Sequence, residues 1–244
     1  MSKFKDFWSA AGETMFPRAF TCDICGRETF GTNLCPDCTE TVTFNNGATC
    51  PVCGRKTVRA EICLECKDRP PLYKKAFSPV VYDGGGKILM AKFKNGNGYL
   101  KEFFADVTAE KLKNFGGADC IVAVPMTDDA KRARGYNQSV LLAESLSKRI
   151  GIPVIKNAVI KVKSTEQQKH LTKKERTVNL ESCFKITDKT FIAGKNILIV
   201  DDVMTTGATA DALTKKLMRA GAKNVFVTTV MSVEYRQFKD KKLF

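Results

Sequence analysis

Ile197-Leu-Ile-Val-Asp-Asp-Val-Met-Thr-Thr-Gly-Ala-Thr209 is the stretch of sequence that decides the fold. Its four leading apolar residues predict a strand that is buried on both faces, as in a parallel sheet. Asp201 and Asp202 follow at the predicted carboxyl end of this strand. Open α/β sheets bind their ligands at that end, so the acidic pair is a candidate ligand site.

The residues after the acidic pair predict a phosphate-binding loop. A short run of small residues leads into a helical pattern over 208–220, and the free N–H groups of such a loop can face an anion. The candidate residues are Thr205, Thr206, Gly207, Ala208 and Thr209. An Asp-Asp pair alone is an ordinary strand end in α/β proteins. A P-loop would need Gly-Lys-Ser/Thr, which this stretch lacks.

Taken whole, the thirteen residues resemble the phosphoribosyl pyrophosphate (PRPP) signature of type I phosphoribosyltransferases and match it at every defined position. The resemblance implies that Asp201 and Asp202 accept hydrogen bonds from the ribose hydroxyls of PRPP. It also implies that the loop 205–209 binds the 5′-phosphate, and that Mg²⁺ arrives with the substrate.

Length and composition favour a folded protein with an anionic partner. The 244 residues are 43% hydrophobic, and 40 basic against 26 acidic residues give a formal charge of +14. A basic balance suggests nucleic acid or a phosphate-rich substrate, although a merely soluble basic surface is the alternative. No apolar run approaches the roughly 20 residues of a membrane span, and the N-terminus lacks a signal-peptide pattern, so we expect a cytoplasmic protein.

Eight of the ten cysteines form four Cys-x-x-Cys pairs arranged as a tandem repeat. In a cytosolic chain this spacing predicts two structural zinc sites with four thiolates each, which leave no open position for catalysis. We prefer sequential sites, although the spacing also allows a cross-braced arrangement in which Cys22 and Cys25 share an ion with Cys50 and Cys53. The eight candidate ligands are Cys22, Cys25, Cys35, Cys38, Cys50, Cys53, Cys63 and Cys66.

The remaining pattern predicts an α/β fold with a parallel sheet flanked by helices. Strands are predicted at 76–82, 119–124, 196–200 and 224–233, with helices at 87–93, 99–114, 140–150 and 208–220. The glycine triplet 84–86 is interpreted as a turn. We expect an amphipathic helix over 1–18, a double zinc-ribbon module over 19–70, a phosphoribosyltransferase-like domain over 72–236 and a basic tail over 237–244.

A second candidate loop follows the strand at 119–124. Pro125 and Met126 open it, and the basic side chains of Arg132 and Arg134 could bind a pyrophosphate. The alternative is that these basic residues form the solvated face of a helix.

With the cysteine pairs, the proline loop and the Asp-Asp loop in this order, the chain resembles the ComF family of competence-type, phosphoribosyltransferase-like proteins. Arg134-Gly-Tyr-Asn-Gln138 resembles a further motif of that family. A spaced pattern of the family matches at Thr165, Gln168, Leu171, Arg176, Asn179 and Phe184. The candidate residues of the predicted mobile loop are Lys163, Thr165, Gln168, Lys169 and Arg176.

The resemblance implies phosphoribosyl transfer with pyrophosphate release, in a protein linked to DNA uptake. The acceptor is not identified by any residue pattern. A different function is also open: a non-catalytic accessory protein that handles single-stranded DNA together with competence proteins. Single-strand binding would need stacking aromatics, for which Tyr136 and Tyr235 are the candidates.

Overall fold

A computed structural model describes residues 21–29, 33–162 and 181–234 of the chain. The predicted helix over 1–18, the predicted mobile loop with its five named residues, and the basic tail lie outside the described residues. Within the described ranges, no helix combines the length and the apolar character needed to cross a bilayer.

Two small cysteine-rich units precede the α/β region. Each has an antiparallel bridge around its first Cys-x-x-Cys pair and a short helix at its second pair. The helices are α1 (Pro36–Glu40) and α2 (Leu64–Asp68). In the second unit Gly54 has a positive φ of 69°, and a Cβ there would lie 2.5 Å from the carbonyl oxygen of Ala76. Only glycine fits this close contact with the sheet.

A five-stranded parallel sheet forms the centre of the fold. Its strands are β1 (Lys75–Phe77), β2 (Val80–Val81), β3 (Cys120–Ala123), β6 (Asn196–Met204) and β7 (Asn224–Ser232), and a separate antiparallel pair consists of β4 (Val159–Lys161) and β5 (Phe184–Ile186). In the sheet the strands lie in the order β1, β7, β6, β3, while β2 pairs with the carboxyl end of β7. The parallel-sheet α/β fold predicted from the sequence is therefore confirmed.

Helices cover both faces of the sheet, each with its own hydrophobic cluster. On one face the buried side chains Leu89, Phe104 and Leu142 pack together, and on the other Leu213 and Leu217 cover the strands. The helices are α3 (Gly84–Lys94), a 3₁₀ turn (Gly98–Leu100), α4 (Lys101–Lys111), α5 (Asp128–Arg134), α6 (Gln138–Ile150) and α7 (Ala208–Arg219).

The first cysteine unit belongs to the first of these clusters. Cys22, Cys35 and Cys38 are buried in the same cluster as Leu89 and Met231. Side chains also join the two parts: the Tyr99 hydroxyl donates to Asp23 Oδ1 at 2.7 Å. The first unit therefore shares its core with the α/β region.

The prediction of a chain turn at the glycine triplet 84–86 is wrong, because these glycines form the first helical turn of α3. A Cβ at Gly85 would lie 2.4 Å from the hydroxyl of Thr41, and one at Gly86 would lie 2.9 Å from the carbonyl oxygen of Val81. Glycine is needed here because the helix begins in close contact with the first cysteine unit and with β2.

Two predicted strands also have different limits. The strand predicted at 76–82 is interrupted between β1 and β2, where Asn45 donates its side-chain amide to the carbonyl of Ser78 and its backbone N–H to that of Pro79. These carbonyls bind the cysteine-rich region instead of the sheet. The strand predicted at 196–200 extends to Met204, because β7 continues to pair with it through Ser232.

Candidate functional site

The acidic pair lies at a step in the sheet edge. Val200 is the last residue of β6 that pairs with β3, and its carbonyl accepts a hydrogen bond from Val124 N at 3.0 Å. On the other side β6 still pairs with β7 through Met204. Asp201 and Asp202 thus lie in the part of β6 that pairs with β7 but no longer with β3.

Asp201 is fixed by hydrogen bonds to one of its two oxygens. Its Oδ1 accepts from the Ser139 hydroxyl at 2.8 Å and from the backbone N–H of Asp202 at 2.9 Å. Within the described part of the chain, its Oδ2 accepts no hydrogen bond and is available to a ligand. Burial and the neighbouring charge of Asp202 raise the pKa of Asp201 to about 7, against the lowering effect of Ser139 and Lys94.

Asp202 is fixed by an ion pair. Its Oδ2 lies 2.9 Å from Nζ of Lys94, whose side chain is 31% exposed. Its Oδ1 accepts the backbone N–H of Val203 at 2.6 Å. Both oxygens have one partner each and keep acceptor capacity for a hydroxyl donor.

The predicted phosphate loop joins β6 to α7 beside these carboxylates. Gly207 is the N-cap of α7 in the left-handed conformation, with φ of 77°. Thr205 and Thr206 are exposed, and the Thr206 hydroxyl accepts the N–H of Ala208 at 3.3 Å. The structure therefore brings the predicted loop residues, including Thr209, together at the N-terminus of a three-turn helix, where an anion is favoured.

In the predicted pyrophosphate loop, the two candidate arginines bind neighbouring residues of their own segment. Arg132 and Arg134 lie on α5 with exposed side chains. Arg132 forms an ion pair with Asp129, and Arg134 donates to Oε1 of Gln138 at 3.0 Å. Within the described ranges, no ion pair joins either arginine to the acidic pair. In this conformation the two guanidinium groups bind their own segment.

A cavity of about 630 Å³ opens beside the same loop. Pro125 and Met126 line it, together with residues 154–162 on the opposite wall. Asp201 and Asp202 do not line this cavity.

Sequence reasoning missed Lys94 and Ser139. Ser139 directly follows the Arg-Gly-Tyr-Asn-Gln motif, and Asn137 Oδ1 caps α6 by accepting its N–H at 2.9 Å. An Asn-x-Ser helix start was a usable signal for Ser139. Lys94 had no such signal, since its partner Asp202 is more than a hundred residues away in the sequence. Of the two candidate stacking aromatics, Tyr136 donates its hydroxyl to the carbonyl of Phe93 and packs against the core, so it is not an open stacking platform. Tyr235 lies outside the described residues.

The cysteines form two groups in the sequential arrangement, with all ligand sulfurs of a group within 4.8 Å of one another. The first group is Cys22, Cys25, Cys35 and Cys38, and the second is Cys50, Cys53, Cys63 and Cys66.

The geometry of both groups suits zinc. A tetrahedral ion with Zn–S bonds of about 2.3 Å places its sulfurs about 3.8 Å apart. The Cys25–Cys35 and Cys53–Cys63 sulfur pairs are each separated by 3.8 Å. The backbone amide and guanidinium of Arg27 lower the pKa of Cys25, whereas burial raises the pKa of Cys38 in the same group.

Known protein families match both the cysteine-rich region and the α/β region of the chain. Residues 11–67 match the family described as "Double zinc ribbon domain", and residues 136–244 match "Phosphoribosyl transferase domain". The zinc-ribbon match and the two cysteine groups together indicate structural zinc.

Several curated proteins are similar to this chain. Competence protein F of Haemophilus influenzae is 32% identical over 152 residues, which cover 57% of this chain and 65% of that protein. DNA utilization protein YhgH of Salmonella typhi is 36% identical over 109 residues, or 45% and 47% of the two chains. Competence protein ComFC of Streptococcus pneumoniae is 30% identical over 146 residues, or 59% and 62%. The matches thus span less than two thirds of each relative's length.

Proposed function

Because this chain belongs to the ComF family, we propose that it binds PRPP with Mg²⁺ and transfers its phosphoribosyl group with release of pyrophosphate, in a process linked to DNA uptake. The acidic pair at the end of β6 is the observation that carries this proposal. Two carboxylates with free acceptor positions stand directly before an N–H-rich loop at the start of α7. A ribose 5-phosphate has a diol and a phosphate at the two ends of one sugar, and this arrangement suits both.

In the proposed complex, Asp201 Oδ2 and the carboxylate of Asp202 accept the ribose hydroxyls. The loop from Thr205 to Thr209 donates its amides and hydroxyls to the 5′-phosphate. Mg²⁺ bound together with PRPP would offset the negative charge that develops on the leaving pyrophosphate. Arg132 and Arg134 would leave their present partners, Asp129 and Gln138, to bind that group, since both side chains are long and exposed.

Zinc has a structural role in this proposal. Each four-thiolate group is a closed site without a position for substrate or water. The first group supports the end of the sheet by sharing its core, and the unit of the second group contacts β1 at Ala76.

Titration calorimetry with PRPP and Mg²⁺ tests the binding half of the proposal. We expect the wild-type chain to bind and the Asp201→Ala/Asp202→Ala double variant to lose the heat signal. Equal binding by both chains, or no binding by the wild type, would contradict the site assignment. Pyrophosphate release in the presence of nucleobases or single-stranded DNA tests transfer separately.

A second candidate function is the handling of single-stranded DNA without catalysis. The +14 charge favours it, as do the relatives named for competence and DNA utilization. Affinity for an oligonucleotide should then fall steeply between low and moderate salt and should not depend on Asp201 or Asp202. Weak binding that does not change with salt would count against this function.

A further inference from the structure

We propose that Lys94 is a positioning residue of the PRPP site, holding Asp202 in its ligand-accepting orientation and supplying the positive charge that lets two adjacent carboxylates act together. This inference rests on the proposed function. It concerns a residue on α3, far in sequence from the acidic pair and from the loops that follow β3 and β6.

The geometry of the ion pair carries the proposal. Lys94 Nζ lies 2.9 Å from Asp202 Oδ2, and the Asp202 side chain is only 17% exposed. Asp202 Oδ2 thus accepts from the Lys94 ammonium and Asp202 Oδ1 from the backbone N–H of Val203. These two contacts fix the plane of the carboxylate. The free lone pairs of the carboxylate therefore point in set directions before a ligand arrives, which lowers the ordering cost of binding.

Charge gives Lys94 a second effect. Asp201 and Asp202 are consecutive, and the charge of Asp202 disfavours ionisation of Asp201. Among the described residues, Lys94 is the only cation that forms an ion pair with either of them. The groups that act on Asp201 are the carboxylate and backbone N–H of Asp202, the Ser139 hydroxyl and the Lys94 ammonium. Removing Lys94 would leave an uncompensated acidic pair, which repels the anionic phosphates of PRPP, and would make Asp201 more readily protonated.

The position of Lys94 is itself well supported. It is the last residue of α3. The first turn of that helix is in contact with the first cysteine unit, and Lys92, two residues before it, reaches the carbonyl of Ile24 at 3.5 Å. The helix thus contacts the first cysteine unit near both ends, and the neighbouring Phe93 is fully buried, so packing fixes the backbone position of Lys94.

Lys94→Met and Lys94→Arg test the proposal, because methionine keeps an unbranched apolar side chain without the charge and arginine keeps the charge. We expect the dissociation constant of PRPP to rise about tenfold in Lys94→Met and to recover in large part in Lys94→Arg. Lys87→Met is the matched control: it removes the same charge from an exposed position of the same helix and should leave the constant almost unchanged.

A pH series separates positioning from a general structural role. PRPP affinity of the wild type should fall as the pH drops through about 7, where Asp201 becomes protonated. In Lys94→Met the midpoint should move to higher pH, because the ammonium no longer favours the ionised form. The pH dependence of PRPP affinity in Asp201→Asn, which lacks the titrating carboxyl, serves as the control for protonation of PRPP itself.

NMR titration of the Asp201 carboxyl carbon in the ligand-free chain is the independent arm. An upward shift of its midpoint in Lys94→Met supports control of the pair by Lys94, even if the wild type does not bind PRPP and the proposed function fails. An unchanged titration midpoint, or PRPP binding by Lys94→Met with the wild-type constant and pH midpoint, would overturn the inference.

Discussion

The hydroxyl of Tyr73 lies 3.4 Å from the position that a Cβ on Gly207 would occupy. Tyr73 is buried beside the second cysteine group, and the next contact along, from Leu72 N to Asp211 Oδ1 at 2.6 Å, joins the same segment to α7. The linker after the second cysteine unit therefore contacts the predicted phosphate loop and the helix that it opens.

Gly207→Ala should weaken PRPP binding by about tenfold. Gly207 has a φ of 77°, so alanine strains the backbone by about 1 kcal/mol, and its methyl group must also fit against Tyr73. Calorimetry with PRPP measures the effect. Gly151→Ala is the matched control, with a φ of 71° at the end of α6 and open space around it. Both variants should lose similar stability, and only Gly207→Ala should lose affinity; equal affinities would contradict the assignment of the loop.

Asp201→Asn should stabilise the fold at alkaline pH. Burial raises the folded-state pKa of Asp201 to about 7 from an ordinary value of 3.8, so keeping it ionised costs free energy above pH 7. Asparagine keeps an oxygen that accepts from Ser139. We expect the free energy of unfolding in urea to rise by about 1–3 kcal/mol at pH 8.

That gain should fade as the pH falls from 7 to 4, because the wild-type carboxyl then takes up its proton in the folded state first. A gain that is constant between pH 8 and pH 4 would show that Asp201 is not the group responsible. The same variant should bind PRPP more weakly, since it loses a charged acceptor.

Ser139→Ala should lower PRPP affinity by a smaller factor, about threefold to tenfold. The hydroxyl that holds Asp201 Oδ1 at 2.8 Å is lost, so the carboxyl is less fixed and its pKa rises further. Ser145→Ala is the control on the same helix, because that buried serine donates to Glu102 and not to the site. An equal effect of both substitutions would point to α6 stability rather than to Asp201.

The purified chain should carry two zinc ions, measured by atomic emission against protein concentration. Each group offers four thiols within 4.8 Å, which a single ion can join. Extraction with a strong chelator under reducing conditions should lower the melting temperature and abolish PRPP binding, because the first group is part of the main core. A metal-free chain with unchanged melting would contradict a structural role.

Much of this site could be predicted from the sequence because its chemistry is local. The apolar run before Asp201 and Asp202, and the glycine that opens α7, lie within thirteen residues and need no distant contact to be interpreted. The same holds for the cysteine pairs, whose spacing already matches a tetrahedral ion.

The parts that were missed depend on packing between distant segments. Gly84 and its neighbours predicted a turn because local propensity disfavours glycine in helices. Their close contact with Thr41 and Val81 outweighs that preference. Lys94 contacts Asp202 only when α3 packs on the sheet, so no local sequence pattern predicts that the two residues form an ion pair.

The shared core of Cys22, Cys35 and Cys38 with Leu89 and Met231 has a consequence for synthesis. These cysteines leave the ribosome well before β7, the last strand of the sheet, is made. A zinc-loaded ribbon can therefore form before α3 is made and gives that helix a surface to pack against. Scarcity of zinc in the cell would therefore reduce the yield of folded chains before it altered the chemistry of those already made.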